Sequence, residues 1–468
     1  MATRGGFSSK FGFIAAAAGS AVGLGNLWGF PFEVADGGGA AFVLIYLVCC
    51  FVLCFPVMVT EIAIGRKTGL NPVGAFKSLG YKNWNIIGKL GVLSGVLILS
   101  YYNVVAGWAF GYFLELVQGR FEIGSEFGTF TANFTKVGLY AILFMFATAF
   151  IVSKGIASGI EKAAKILMPS LIILILMLVI YAVTLEHATE GLQFYLIPDF
   201  SKINLEVVYD ALGQAFFSLS LGMGALITYG SYVSKNDNII SSAALITLAD
   251  IGIAFIAGLM MFPFVAYLLN GNMDQIPSGA GLIFVTLPGV FETLGPNLGV
   301  IIGAAFFLLL SFAALTSTVS LLEVPVSYLV DEHQIRRNRA VWLVALGIFL
   351  VGIPSLLANG GSDFFSQFIT YFGAEKAVDF MSFLGHLAND TFLPLGGLMI
   401  VSFAAYIWKK EQLYNEIETG NSNFKGSFIE KYIGFAITYI CPVILGMIFI
   451  LTVLNRFFGI DLLGQFTA

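Results

Sequence analysis

The sequence predicts an all-α polytopic membrane protein of about eleven transmembrane helices, and three observations predict it. Of 468 residues, 58% are hydrophobic and 11% charged, against roughly 25% charged in a soluble domain. The mean hydropathy is +0.89. The apolar residues also fall into runs close to the roughly 20 residues that cross a hydrocarbon core. A water-soluble globule is excluded. A net charge of −5 without a basic stretch argues against nucleic acid, which needs clustered Lys and Arg. Small solutes, ions and the lipid bilayer remain as partners.

The runs lie at 11–33, 39–65, 88–117, 137–153, 164–184, 207–232, 240–269, 298–329, 340–357, 381–408 and 431–458, separated by polar or Gly/Pro punctuation. Residues 186–206 and 271–297 have room for short surface helices. With the N-terminus inside, 18 of the 23 Lys and Arg fall on the cytoplasmic side; Arg120, Lys136, Lys202, Lys376 and Arg456 fall outside. This asymmetry predicts a cytoplasmic N-terminus and, for an odd helix count, an extracytoplasmic C-terminus in the cell's inner (plasma) membrane. Met1 to Lys10 lacks an A-x-A-like cleavage site, so no removable signal peptide is expected.

The first span contains Gly19, Gly23, Gly25 and Asn26 within eight residues at mid-membrane depth. Glycine costs about 1 kcal/mol against alanine in a helix interior, and freed backbone groups in lipid cost several kcal/mol unless satisfied. Gly19 and Gly23 also fit the GxxxG spacing of close helix packing, which stays open as the alternative. The second span carries Cys49, Cys50, Cys54 and Glu61. Together with Cys441 of the eleventh, the cysteines read as small buried hydrophobes without a disulfide framework. Glu61, five residues before Arg66, reads as a paired charge near a helix end.

In the sixth span, Ser218, Ser220, Gly222 and Gly224 repeat the pattern of the first. Interruptions in spans one and six correspond if five helices repeat as five more. That predicts two inverted repeats, 11–184 and 207–408, with 431–458 as an extra helix and a binding site at the midplane. Asp250 lies deep in the seventh span, where hard oxygen ligands suit an alkali cation better than zinc. The eighth span places Thr316, Ser317, Thr318 and Ser320 in an apolar helix, with Glu323 expected to pair across helices ahead of the alternative, a place in a proton path. In the tenth, Asp390 lies near Pro394, which is expected to interrupt the helix. The histidines, His187, His333 and His386, are dispersed, and the glycines lack the G-x-x-x-x-G-K-[ST] pattern of a nucleotide loop. An enzyme is not expected: no nucleophile–base pair or metal cluster is visible. An ion channel, or a receptor that binds without transporting, stays open as the other reading.

Gly19-Ser-Ala-Val-Gly-Leu-Gly-Asn26-Leu-Trp-Gly-Phe-Pro31 resembles the first-helix signature of the neurotransmitter:sodium symporters. The resemblance continues through Gly37-Gly-Gly-Ala40 with Tyr46, Tyr101-Tyr102, the run from Gln214 to Gly224, Thr228 to Tyr232 and Ala313 to Ser317. Gly159 and Pro169, with nine residues between them, resemble the family's fifth-helix unwinding motif. The chain is most similar to the bacterial amino-acid transporter branch. The resemblance implies a symporter importing a hydrophobic or aromatic L-amino acid by alternating access, with two sodium ions and no organic cofactor. It implies a first sodium site from Ala21, Asn26, Ser218 and Asp250, and a second from Gly19, Val22, Ala313, Thr316 and Ser317. It implies substrate contacts from Ala21, Gly25, Ile98, Tyr102, Phe217, Ser218, Ser220, Met223, Ser317 and Leu321. Gates are implied at Arg4, Tyr102, Phe217, Tyr232, Gly159 and Pro169.

The residue at the monoamine carriers' acidic position, and the departures from the family pattern, carry consequences. Gly23 stands where monoamine carriers have an acidic residue, so a substrate that brings its own carboxylate is expected. Gly29 replaces the arginine that closes the extracellular side, and its acidic partner on the tenth helix is missing near Gly385 and His386. Asp250 stands where Asn is common and Ala254 where chloride-dependent members have Ser, so the fixed charge of Asp250 is expected to replace chloride. At the inner gate Arg4 is kept, and Phe7 takes the place of a tryptophan. The residues leave the oligomeric state and the identity of the amino acid open.

Overall fold

The computed structural model describes residues 5–276, 282–374, 376–460 and 462. Among these residues nine helices are long and apolar enough to cross a membrane: Ala40–Thr68, Lys82–Val117, Phe134–Ser153, Ile156–Ala182, Ile239–Leu268, Pro296–His333, Arg337–Leu357, Phe380–Ile407 and Phe428–Phe458. The first span makes a tenth, in two pieces, Lys10–Ala21 and Gly25–Asp36, bent by 50°. The sixth is divided into Leu205–Ser218 and Ala225–Gly230. The eleven apolar runs thus each form helix, and the two interrupted ones are the first and the sixth.

Polar residues at the span ends explain where helices begin. Ser9, Asn204 and Asn238 accept from the backbone N–H of Gly12, Val207 and Ser241, each satisfying an amide that has no partner inside its helix. Pro394 does not end the tenth span. A π-helical turn, His386–Phe392, precedes it and absorbs the missing proline donor within a continuous helix. Residues 188–196 form the surface helix expected before the sixth span; the other connection also holds a short helix, Leu287–Thr293, but one with Leu287, Val290 and Phe291 buried, while its residues 277–281, and Arg4, lie outside the described residues.

The eighth span, Pro296–His333, packs along the third and against the first, fourth, fifth and ninth, and is buried over most of its length. Around it the interrupted first and sixth spans meet, and this central position gives the freed backbone protein neighbours rather than lipid.

Candidate functional site

The last amide of the first helical piece is Val22, which donates to the Ala18 carbonyl at 2.7 Å. Beyond it side chains take over. Gly23 N–H donates to Asn26 Oδ1 at 3.0 Å, and Leu24 N–H to the Tyr102 hydroxyl at 2.9 Å. In the sixth span the break runs through Ser220, Gly222 and Gly224, all at positive φ. A Cβ on Gly222 would sit 2.2 Å from the Leu393 carbonyl, so this position needs glycine for both conformation and space. Gly222 N–H donates to Glu61 Oε1 at 2.8 Å. Glu61 is therefore not the partner of Arg66, as its spacing had suggested. Arg66 Nε instead bonds Glu416 at 2.8 Å, and Glu61 supports the sixth-span break.

The freed carbonyls are satisfied in the same way. Ser20 O accepts from Ser220 Oγ at 3.1 Å and Ser317 Oγ at 3.3 Å. Val22 O accepts from Thr316 Oγ1 at 3.3 Å, and the same hydroxyl reaches Ala313 O at 2.8 Å. A Cβ on Gly19 would lie 3.3 Å from the Thr316 Cβ. Gly19, Val22, Ala313, Thr316 and Ser317 are thus gathered where the first span meets the eighth.

Asp250, fully buried, gathers the second set. Its Oδ1 accepts from Asn26 Nδ2 at 2.8 Å, Ser218 Oγ lies 3.0 Å from each carboxylate oxygen, and the Tyr46 hydroxyl donates to Oδ2 at 3.2 Å. Gln214 Nε2 donates to the Gly25 carbonyl at 2.9 Å. Three donors meet the buried Asp250 carboxyl group, as a buried polar group requires.

Between the two sets lies a cavity of about 20 Å³ lined by Ser20, Ala21, Gly23, Gly25, Ile98, Tyr102, Phe217, Ser218, Ser220, Met223, Ser317 and Leu321. All ten residues expected to contact a substrate line it. Ser20 and Gly23 join them. Ser20 stands in the glycine-rich signature, yet its role rests on a carbonyl, which residue type does not reveal. The cavity has room for about one water molecule and not for an amino acid, so loading it requires its walls to part. Beyond Tyr102 and Phe217 a second cavity, about 430 Å³, opens at the end of the first span away from its N-terminus.

The other end is closed. Phe7 packs against the rings of Phe13, Tyr229 and Tyr232, and the buried Glu161 accepts from Ser8 N–H at 2.7 Å. Tyr232 donates to Glu323 Oε1 at 2.7 Å, and Arg337 grips both oxygens of Glu323 at 3.0 and 2.5 Å. Glu323 is thus paired across helices, as expected. Gly159 sits in a π-helical stretch, Ile156–Glu161, and Pro169 within the continuous helix after it, so the fifth span is wound here.

A family model described as the sodium:neurotransmitter symporter family matches residues 4–125 and 125–458. An uncharacterized sodium-dependent transporter of Bacillus subtilis, YhdH, is 34% identical over 452 residues, covering 95% of this chain and 96% of its own. One of Haemophilus influenzae is 34% identical over 462 residues, with 95% and 97% covered. Among solved structures, MhsT in complex with L-phenylalanine superposes with a TM-score of 0.85 at 39% identity, covering 96% of this chain and 99% of that one.

Proposed function

The chain belongs to the sodium:neurotransmitter symporter family, whose members here are sodium-dependent transporters rather than enzymes, and from that premise we propose that it imports a hydrophobic or aromatic L-amino acid together with sodium. One observation carries this reading: the interrupted first and sixth spans and the eighth enclose a single cavity with oxygen ligands at two edges and apolar walls of Ile98, Phe217, Met223 and Leu321. Unwound carbonyls with hydroxyl and amide oxygens suit a hard monovalent cation, and free amides suit a carboxylate. MhsT, similar along nearly its whole length, was solved with L-phenylalanine, which supports an aromatic substrate.

In this reading the first sodium is held by Ala21 O, Asn26, Ser218, Asp250 and the substrate carboxylate. The second is held by the carbonyls of Gly19, Val22 and Ala313 with the hydroxyls of Thr316 and Ser317. Sodium entering the first site draws Asn26 Oδ1 away from Gly23 N–H, with which it now bonds, and so frees that amide for the substrate carboxylate. The substrate carboxylate approaches Tyr102 and the first-span amides, and its ammonium the sixth-span carbonyls. Gly23 leaves no room for a side-chain acid, since a Cβ there would meet Ser317 Oγ at 2.3 Å. Asp250 supplies the negative charge that balances sodium, so transport proceeds without chloride. Residues 11–184 and 207–408 act as the two inverted repeats, with 431–458 outside them and the N-terminus cytoplasmic.

Each ligand shifts the alternating equilibrium only by its differential affinity for the two states. The test is binding of labelled L-amino acids to purified protein in sodium against choline. Saturable binding in sodium alone supports the reading; no binding in either salt overturns it.

A further inference from the structure

The larger cavity carries an unusual charge arrangement. Glu33 of the first span, Asp210 of the sixth and Asp390 of the tenth all line it. Among the described residues that line it, Arg456 of the eleventh span is the one cation. Its Nε lies 3.4 Å from Asp390 Oδ2, and the two side chains are 47% and 32% exposed, so the pair is in reach of other partners. One turn earlier on the same helix face, Thr452 shares a hydrogen bond with the hydroxyl of Tyr209, the neighbour of Asp210. The eleventh helix therefore already touches the sixth at the cavity wall. On the first span Gly29 offers no charge, and a Cβ there would meet only Gln214, at 3.4 Å.

Closing this cavity over Tyr102 and Phe217 brings three carboxyl groups from three helices together while water leaves, and whatever negative charge they carry costs more as the dielectric falls unless a cation joins them. A guanidinium, always charged and with five donors, can bind more than one carboxylate at once.

We propose that Arg456 is the cation of the outer gate, clamping the first, sixth and tenth helices over the loaded pocket and making the eleventh helix a working part of the gate. The proposal rests on the transport reading above. It is tested by the rate at which purified protein in sodium releases labelled L-phenylalanine, or whichever amino acid of the panel the wild type binds. Arg456→Gln is expected to release it about tenfold faster, since truncating one partner of a charge pair acts on the off-rate. Adding Asp210→Asn to Arg456→Gln, or Gly29→Arg to it, is expected to slow release again, a rescue that a purely structural arginine would not show.

Release from Arg456→Gln at the wild-type rate, or acceleration that neither second change reverses, overturns the gate. If Arg456→Gln fails to fold, Asp390→Asn decides, with faster release expected and an unchanged rate overturning the proposal. A wild type that binds no amino acid in sodium brings down the transport reading and the gate with it, which separates that failure from failure of the gate alone.

Discussion

Asn26, on the broken first span, and Asp250, on the seventh, are joined twice: the Asn26 amide nitrogen lies 2.8 Å from the Asp250 carboxylate and 3.1 Å from its backbone carbonyl. The two residues are 224 positions apart, and neither is exposed. A buried carboxylate joined to flexible amide and hydroxyl groups can exchange their donors for a cation without moving backbone. Asp250→Ala and Asn26→Ala are each expected to weaken sodium-dependent amino-acid binding at least tenfold. Hydrogen bonds to charged groups are worth about 1.5–3 kcal/mol, about tenfold to a hundredfold in affinity. Sodium titration of binding by scintillation proximity checks it, and unchanged sodium dependence in both variants would remove these residues from the site.

Thr316→Ala is expected to weaken sodium dependence as strongly, through different partners. Its hydroxyl lies within reach of the Val22 and Ala313 carbonyls, and alanine removes the oxygen that completes the proposed second sodium shell. The double variant Thr316→Ala with Asn26→Ala separates one site from two. Additive losses mark independent sites; a double loss no larger than either single one marks a shared site.

Gly23 is held to glycine by space. A Cβ would lie 2.3 Å from Ser317 Oγ and 2.8 Å from the Tyr102 hydroxyl, so Gly23→Ala is expected to lose amino-acid binding. Ser317→Ala removes the closer obstacle and, at sodium concentrations high enough to offset the hydroxyl it takes from the second sodium site, is expected to restore part of that binding when added to Gly23→Ala. Isothermal titration of the single and double variants checks it, and recovery absent from the double variant would place the strain elsewhere.

Glu61→Ala leaves the Gly222 amide without its acceptor inside the bundle, a loss of about 1–3 kcal/mol. Glu61→Gln keeps an oxygen at the same place and is expected to stay near wild type. A lower melting temperature for Ala alone, in detergent, supports the role; equal melting of Ala and wild type contradicts it.

These sites differ in how far they could be read from residue order. The interruption at Gly19 to Asn26 was legible because glycine and asparagine at mid-membrane depth have a backbone cost that needs a reason. Glu61 was misread because its nearest cation in sequence, Arg66, is taken by Glu416, 350 residues away, while its own partner is a backbone amide 161 residues away. Ser20 acts through its carbonyl, which every residue has. Arg456 counted only as an outside charge, since its meeting with Asp390 and its place on the cavity wall come from packing of the tenth and eleventh helices.

Asp250 also bears on the chloride independence proposed above. Tyr46, Ser218 and Asn26 donate to its carboxylate, and in the transport reading that carboxylate balances a sodium ion in a low-dielectric site. Replacing chloride by gluconate is therefore expected to leave sodium-driven uptake into proteoliposomes unchanged. Asp250→Asn keeps the size and loses the charge. Uptake by this variant is expected to fall in gluconate and to recover at least partly in chloride, which can occupy the space beside the Tyr46 and Ser218 hydroxyls. Uptake by the wild type that collapses in gluconate would show that Asp250 does not supply the balancing charge.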